Sequence, residues 1–504
     1  MNNKLMIKKT IAQEKNIFIV LFIYAFLLIF FCSKMSPLYP INEWSDINLY
    51  FNIGKAIAEG RVPYTEAFDH KGPLIFFIYG IGALISDSSF FGMYLIESIG
   101  WAILIFFAYL TARLYVEKIY AFIVALIFPV LMLSHTSQGG SAEEFIAIAQ
   151  VVSLYFFIRY FKDKSVSRHN PTHMLIHGLM SSVALLIKIN LVIFWFFPLL
   201  AVFINLALIK EYKNLVKNII AYTLGILVIT LPICIYFLVN GALTEAWNIY
   251  IILNKNYATI GSLSETIENI TVRFYLWLRL ETIEFLIILL GAIYFPIRHI
   301  KNKWGRIGLI LSFFILFAAI FSSPKYVFYY SIPYYIYALP GCIALCRFIK
   351  IPATKTAYTL LFIVILALGI KQRDFFGMQI SELLRSEKPT GLAFQFGEIV
   401  KKEKEPTLLN IGLDEGNAVF TVANVTPTVK YFISPNLPYD SFPQMRDEQT
   451  KYIENKEIQF VILAERAMNY NYFHELPALN ENYTIVDSYP ANDHQTYYLY
   501  KRKD

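Results

Sequence analysis

Three short stretches hold residues whose types and spacing suit group-transfer chemistry. The first is Asp46-Ile-Asn-Leu-Tyr-Phe-Asn-Ile-Gly-Lys-Ala-Ile. Ile47, Tyr50, Phe51, Gly54, Ile57 and Ala58 recur at helical spacing, so it reads as an amphipathic helix lying at a membrane interface, stopped at Gly60. Asp46 stands at its start. It is either a carboxylate available as a general base or, with Ser45, a plain cap of the first turn. The second stretch is Phe68-Asp69-His70-Lys71-Gly72-Pro73, an acid, an imidazole and an amine just before a sharp Gly-Pro turn. Neighbouring side chains do not share one face, so these three are not a triad. They read as a cluster lining a pocket roof or as an ordinary polar turn. The third is Gly139-Gly140-Ser141-Ala142-Glu143-Glu144, where two carboxylates open a helix. Either they do chemistry or they serve the helix end, with Ser141 as N-cap.

Ionisable residues inside apolar runs add to this set, because a charge is costly at depth in a bilayer. Lys188 interrupts the apolar stretch from Leu175 to Ile209, Glu97 lies inside another, and Lys325 follows Ser-Ser-Pro and precedes Tyr326, Phe328, Tyr329 and Tyr330. Each lysine either snorkels or holds a lipid phosphate as a point charge. His169, His173 and His177 have metal-ligand spacing on a continuous helix, but Pro171 sits among them, so a solvated loop is expected. The four cysteines lie in apolar runs and behave as small hydrophobes. There is no G-x-x-x-x-G-K-[ST] and no Asp-x-Asp, which argues against an ATP-driven pump and against common metal-dependent nucleotide-sugar chemistry.

The elements that must position these residues are membrane helices. Of 504 residues, 57% are apolar and 16% charged, and mean hydropathy is +0.50. Disordered, collagen-like, coiled-coil and disulfide-scaffold classes are excluded, and so is a chromatin-type nucleic-acid binder. The net charge of +7 comes from Lys and Arg at the ends of apolar runs, not from one basic face. Placing the basic clusters in the cytoplasm predicts eleven spans, at about 17–33, 90–112, 119–134, 143–161, 174–188, 190–208, 219–239, 281–297, 307–321, 329–347 and 356–370. The N-terminus is then cytoplasmic, with an uncleaved signal-anchor helix first, and the C-terminus is outside. Pro73 to Ile85 is too short to span and is expected to be re-entrant or interfacial.

Four polar regions then face outward: 34–72, 134–141, 240–280 and everything after about 370. The expected domains are a membrane domain, 1–370, with a catalytic first outer loop at 34–72, and an extracytoplasmic α/β domain, 371–504. In the latter, helices are predicted at 391–404 and 444–456, and strands at 407–411, 458–463, 483–486 and 496–500. The fold class is thus mostly α, a polytopic helical membrane domain with a small α/β tail. Every candidate acid lies on the outer side, where nucleotides are not supplied. A group transferred there must arrive already activated on a lipid or a peptide.

In layout the chain resembles the GT-C superfamily of membrane glycosyltransferases, especially bacterial members related to protein O-mannosyltransferases and aminoarabinose transferases. The matching residues are Asp46 to Gly60, Asp69-His70-Lys71-Gly72-Pro73-Leu74, Glu143-Glu144, Pro324-Lys325 through Pro333, and Thr426-Pro-Thr-Val-Lys-Tyr-Phe432. The resemblance covers most of the chain in arrangement and is specific in the first loop. It implies transfer of a sugar from a polyprenyl-phosphate donor to a glycan or lipid acceptor of the cell envelope, in the bilayer and without nucleic acid. By resemblance Asp46 is the acid–base residue. Asp69, Glu143 and Glu144 are further catalytic candidates, and Lys71, Lys188, Lys325 and His70 are donor-phosphate ligands. No cofactor is implied, with a divalent cation left open. Relatives carry a histidine near the late lysine where this chain has Tyr329-Tyr330, a departure in that loop. A polysaccharide polymerase, a transporter of lipid-linked sugars and a non-catalytic assembly factor are the alternatives.

Overall fold

The computed structural model describes residues 3–133, 135–136, 138–164, 168–257, 262–322, 326–348, 389–434, 437–492 and 495–503. The chain divides into two compact units. One comprises Met1–Ser33, Leu95–Pro232 and Ile260–Gln379, the other Lys34–Tyr94, Ile233–Thr259 and Ile380–Asp504.

The first nine helices of more than five residues are α1 (Asn3–Cys32), α2 (Ser45–Ala58), α3 (Pro73–Ile85), α4 (Phe91–Arg113), α5 (Lys118–Leu133), α6 (Ala142–Phe161), α7 (Pro171–Ile187), α8 (Ile193–Leu208) and α9 (Tyr212–Val239). Seven helical segments of the described residues are long and apolar enough to cross a bilayer: Glu14–Cys32, Phe91–Arg113, Ala142–Phe161, Ile189–Leu208, Tyr212–Val239, Thr282–His299 and Lys303–Phe321. Their exposed apolar side chains, such as Ile220, Val228 and Leu231 on α9, form the surface that lipid covers in a multi-pass membrane protein. The predicted spans at 119–134 and 174–188 are shorter apolar helices, Lys118–Leu133 and Pro171–Ile187.

Three expectations need correction. The predicted span 329–347 is not one α-helix. A 3₁₀ stretch, Phe328–Tyr337, precedes the short helix Ala338–Phe348. Pro333 lies inside that stretch and has no N–H to donate to an α-helical ladder. The histidine segment is not a solvated loop. Asn170 caps α7, Pro171 takes its first position, and His169 and His177 are buried. His169 Nδ1 lies 2.6 Å from Asn218 Oδ1. Among the described residues no group of three His, Cys, Asp or Glu is arranged to hold a metal ion. The third concerns α2, which is buried on both faces and does not lie on an open interface. The predicted span 356–370 lies outside the described residues.

Within the first unit, α6 is almost wholly buried. Its polar Ser153 accepts from Trp195 Nε1 of α8 at 2.8 Å, so neither group is left unpaired in an apolar interior. Lys188 ends α7 in extended backbone (φ −151°, ψ 92°), and a 3₁₀ turn, Ile189–Val192, leads into α8. The long apolar stretch is therefore broken at its one lysine.

In the second unit a four-stranded sheet has the order β1-β2-β4-β3, with β1 Leu408–Asn410, β2 Phe460–Ala464, β3 Tyr483–Asn492 and β4 Gln495–Arg502. β1 pairs with β2 in parallel, and the other two pairings are antiparallel. β1 and β2 are buried along their length and read as continuous apolar runs. The helices Leu392–Val400 and Pro443–Glu454 fall where the periodicity predicts them. Helix α2 packs against α3 in this unit. A side chain at Gly54 would put its Cβ 2.6 Å from the carbonyl carbon of Tyr79, so only glycine permits this approach.

Candidate functional site

The polar stripe of α2 sets the position of Asp46. Asn48 Oδ1 accepts from Thr421 Oγ1 at 2.6 Å, Asn52 Nδ2 donates to Asn417 O at 3.3 Å, and Lys55 Nζ donates to Val425 O at 2.8 Å and Phe420 O at 3.4 Å. The partners all belong to the helix Asn417–Val422 and the turn after it. Lys55 is buried there, and burial pushes its ammonium down to about 7. Ser45 Oγ accepts from Asn417 Nδ2 at 3.2 Å. The N-cap of α2 is Trp44, which offers no side-chain cap. The N-cap position is therefore neither Ser45 nor Asp46. Asp46 occupies the first turn, where the helix dipole favours its charge.

Asp46 Oδ1 lies 3.8 Å from Lys71 Nζ, and both side chains keep about a fifth of their surface exposed (21% and 23%). The turn carrying Lys71 is held from several sides. Tyr64 OH donates to Lys71 O at 2.7 Å, Asn254 Nδ2 donates to His70 O, and Phe68 N donates to Lys430 O at 2.9 Å. Phe68 also stacks on Phe442 at 5.0 Å. Asp69 is fully buried, with its Oδ1 3.2 Å from His70 Nδ1. Burial alone would raise its carboxyl, but the charges of Lys71 and His70 hold it well below the usual carboxylate range. Asp46, Asp69, His70 and Lys71 thus come together in one unit, as an accessible acid–amine pair backed by a buried acid.

The remaining predicted residues belong to the other unit. Gly139 and Gly140 take positive φ (90° and 76°), a turn glycine makes without strain, and deliver the chain to Ser141. Ser141 Oγ accepts from Glu144 N at 3.2 Å while Glu144 Oε1 accepts from Ser141 N at 3.0 Å, a complete capping box. Glu144 Oε2 accepts from Trp101 Nε1 at 3.1 Å. Glu97 accepts from Ser33 Oγ at 2.7 Å and Gly140 N at 3.1 Å. Glu143 is buried, with Oε1 2.7 Å from Lys188 Nζ, and that ammonium sits 3.3 Å above the Tyr330 ring. Lys325 lies outside the described residues.

Two groups escaped the sequence reading. Asp414 sits in the short loop before helix Asn417–Val422. Burial, and then the Asp46 charge, push its carboxyl up to about 6. Its Asp-Glu-Gly-Asn context signals only a turn. His135 is buried against Phe328 and Tyr335, each at 4.2 Å between ring centres, with Trp277 at 5.3 Å. Its Nε2 is 2.8 Å from Tyr335 OH, and burial pushes the imidazole down to about 3. An imidazole thus reaches the tyrosine-rich late segment from the loop before α6.

Residues 70–237 match the family described as dolichyl-phosphate-mannose-protein mannosyltransferase. No curated protein matches the chain. Among solved structures the fold is similar to ArnT from Cupriavidus metallidurans bound to undecaprenyl phosphate, at 14% identity and a TM-score of 0.57, covering 95% of this chain and 97% of that one. The apo state of the same protein matches at 13% identity and a TM-score of 0.56, covering 98% of each chain. The Archaeoglobus fulgidus oligosaccharyltransferase tethered with an acceptor peptide matches at 14% identity and 0.52, covering 97% of this chain and 74% of that one. The chain therefore has the GT-C fold of membrane glycosyltransferases, with residues 70–237 matching the mannosyltransferase family.

Proposed function

We propose that this protein moves a sugar from a polyprenyl-phosphate carrier to a cell-envelope acceptor (a polysaccharide, a teichoic acid or a lipid) at the outer membrane face. The observation that carries the reading is the Asp46–Lys71 pair, 3.8 Å apart and accessible. A carboxylate in the first turn of α2 stands beside an ammonium at a turn held from several sides. Similarity to ArnT bound to undecaprenyl phosphate and to a mannosyltransferase family supports it. The N-terminus is then cytoplasmic and the C-terminal domain extracytoplasmic.

In the reaction Asp46 takes the proton from an acceptor hydroxyl as its oxygen attacks the anomeric carbon. The bond from that carbon to the carrier phosphate breaks, and Lys71 balances the charge on the departing phosphate. One displacement inverts the anomeric centre. Asp69 and His70 hold the turn that presents Lys71. Lys188 and Lys325 are further donor-phosphate cations, with Glu143 as the counter-ion Lys188 exchanges for phosphate. Glu144 serves the helix end. No step calls for a cofactor.

The test is Asp46→Asn in membranes supplied with a labelled polyprenyl-phosphate sugar. Transfer should fall by about 100-fold or more at unchanged protein level, the scale of general base catalysis. Full activity would remove Asp46 from the mechanism. Movement of intact lipid-linked sugar across the membrane without transfer would identify a transporter.

A further inference from the structure

We infer that the C-terminal segment carries a binding site for an anionic glycan, in which Arg446, flanked by the rings of Tyr439 and Tyr472, is the fork for a carboxylate or phosphodiester of the sugar acceptor. The inference rests on the transfer proposed above and narrows its acceptor. All three residues belong to the second unit.

Two prolines and two helices build the site. Pro438 and Pro443 bracket a 3₁₀ turn, Tyr439–Ser441, and Pro443 opens the helix Pro443–Glu454. Phe442 N donates to Pro438 O at 3.1 Å and closes that turn. Arg446 lies one turn into the helix. A long side chain on a helix leans back towards its N-terminus, here towards Tyr439. Tyr472 comes from the short helix Tyr470–His474. Thr450 Oγ1 gives its only proton to Arg446 O at 2.8 Å, so in its 3.0 Å contact with Tyr472 OH the tyrosine is the donor. That bond ties Tyr472 to the helix one turn beyond Arg446.

Arg446 Cζ is 3.3 Å from the centre of the Tyr439 ring and 4.3 Å from that of Tyr472. The guanidinium is held by its faces, and its edge carries the N–H donors. Among the described residues the guanidinium makes no hydrogen bond and no ion pair, and its Nε is buried without a partner. The acids near it in the chain do not meet it. Glu448 pairs with Lys451 at 2.7 Å, and Asp440 and Asp447 are exposed. A buried N–H left unpaired is costly, so this one points to a ligand that completes it.

The donors of a guanidinium edge match an oxyanion taken two oxygens at a time. Rings that already hold the fork leave little freedom to lose on binding. Tyr472 is 37% exposed, and Asn471 beside it is exposed. A pyranose can lay its C–H face on such a ring while its hydroxyls meet the amide. An oxyanion fork beside an open aromatic ring fits an acidic sugar or a sugar-phosphate chain better than a neutral glycan or an acidic peptide.

Titration calorimetry of the full chain in neutral detergent, without sugar donor, tests this. The probes are an oligogalacturonate, a phosphodiester-linked glucose oligomer, maltohexaose and hexaglutamate. One of the two anionic glycans should bind at least about tenfold more tightly than maltohexaose and hexaglutamate, and the tighter one names the acceptor's anion. Arg446→Gln should lose that margin, and Arg446→Lys, which keeps the charge but not the fork, should lose most of it. The preference of the unaltered protein is read whether or not a variant folds. Equal binding of all four probes, tightest binding of hexaglutamate, or a margin that survives Arg446→Gln in a folded protein overturns the site. In transfer assays Arg446→Gln should raise KM for an anionic acceptor about tenfold, more than it lowers kcat. An unmoved KM overturns the acceptor role. If no acceptor is glycosylated yet the binding margin holds, the proposed function fails and the glycan site remains.

Discussion

Helices α2 and α6 both open with an acid in the first turn, yet they use it in opposite ways. In α6, Ser141 and Glu144 close a capping box, and Glu143 is held by Lys188. In α2 the capping position falls on Trp44, whose side chain has no oxygen to offer, and Asp46 stands 3.8 Å from Lys71. The residue just before the helix decides whether a reciprocal capping box can form there. Glu at the third helical position can reach back to its own cap. Asp46 is at the second position and its side chain is shorter, so that reciprocal bond is not available to it.

The largest expected effect separates the two acids by function. Asp46→Asn abolishes transfer with the protein folded, whereas Glu144→Gln keeps transfer within a few-fold and lowers the melting temperature. Equal loss of activity at unchanged melting temperature in Glu144→Gln would erase the distinction.

Next in size are two pH responses of the same sign in different pH windows. Lys55 binds its proton in the unfolded chain up to about pH 10.4 but in the fold only up to about 7. Stability of its unit should therefore rise with pH between those values, by up to about 1.4 kcal/mol per unit. Lys55→Met should flatten the slope in thermal unfolding. His135, down at about 3 in the other unit, contributes stability that is complete above about pH 6.5 and lost as pH falls toward 3. His135→Gln should remove that acid slope.

The smallest effect concerns the cap itself. Ser141→Ala should cost about 1 kcal/mol, and Ser141→Thr much less. Calorimetry in detergent reads both, and equal costs would mean that Ser141 is not valued as a cap.

Much of this arrangement is legible in the primary structure because its signals are local. The capping box, the break at Lys188, the short α3 and the tail strands all announce themselves within about a dozen residues. What is hidden depends on distant partners. Asn48, Asn52 and Lys55 have the spacing of a solvated face, and only Asn417 to Val425 turn them inward. Asp414 looks like any turn acid because nothing near it in the chain names Asp46. The 3₁₀ stretch Phe328–Tyr337 is concealed for another reason: hydropathy counts its rings as it would those of an α-helix. Residues 169–177 mislead because Pro171 marks a helix start as readily as a loop.

The near-touching backbones at Gly54 and Tyr79 have a mechanical corollary. With no side chain between them to act as a bearing, α2 and α3 cannot slide past each other. The acid rides on one rod and the amine stands at the head of the other, so their separation is a built-in ruler. Whatever breathing opens this region must carry both rods together. A bulkier residue at position 54 should reset that ruler without altering either reactive group.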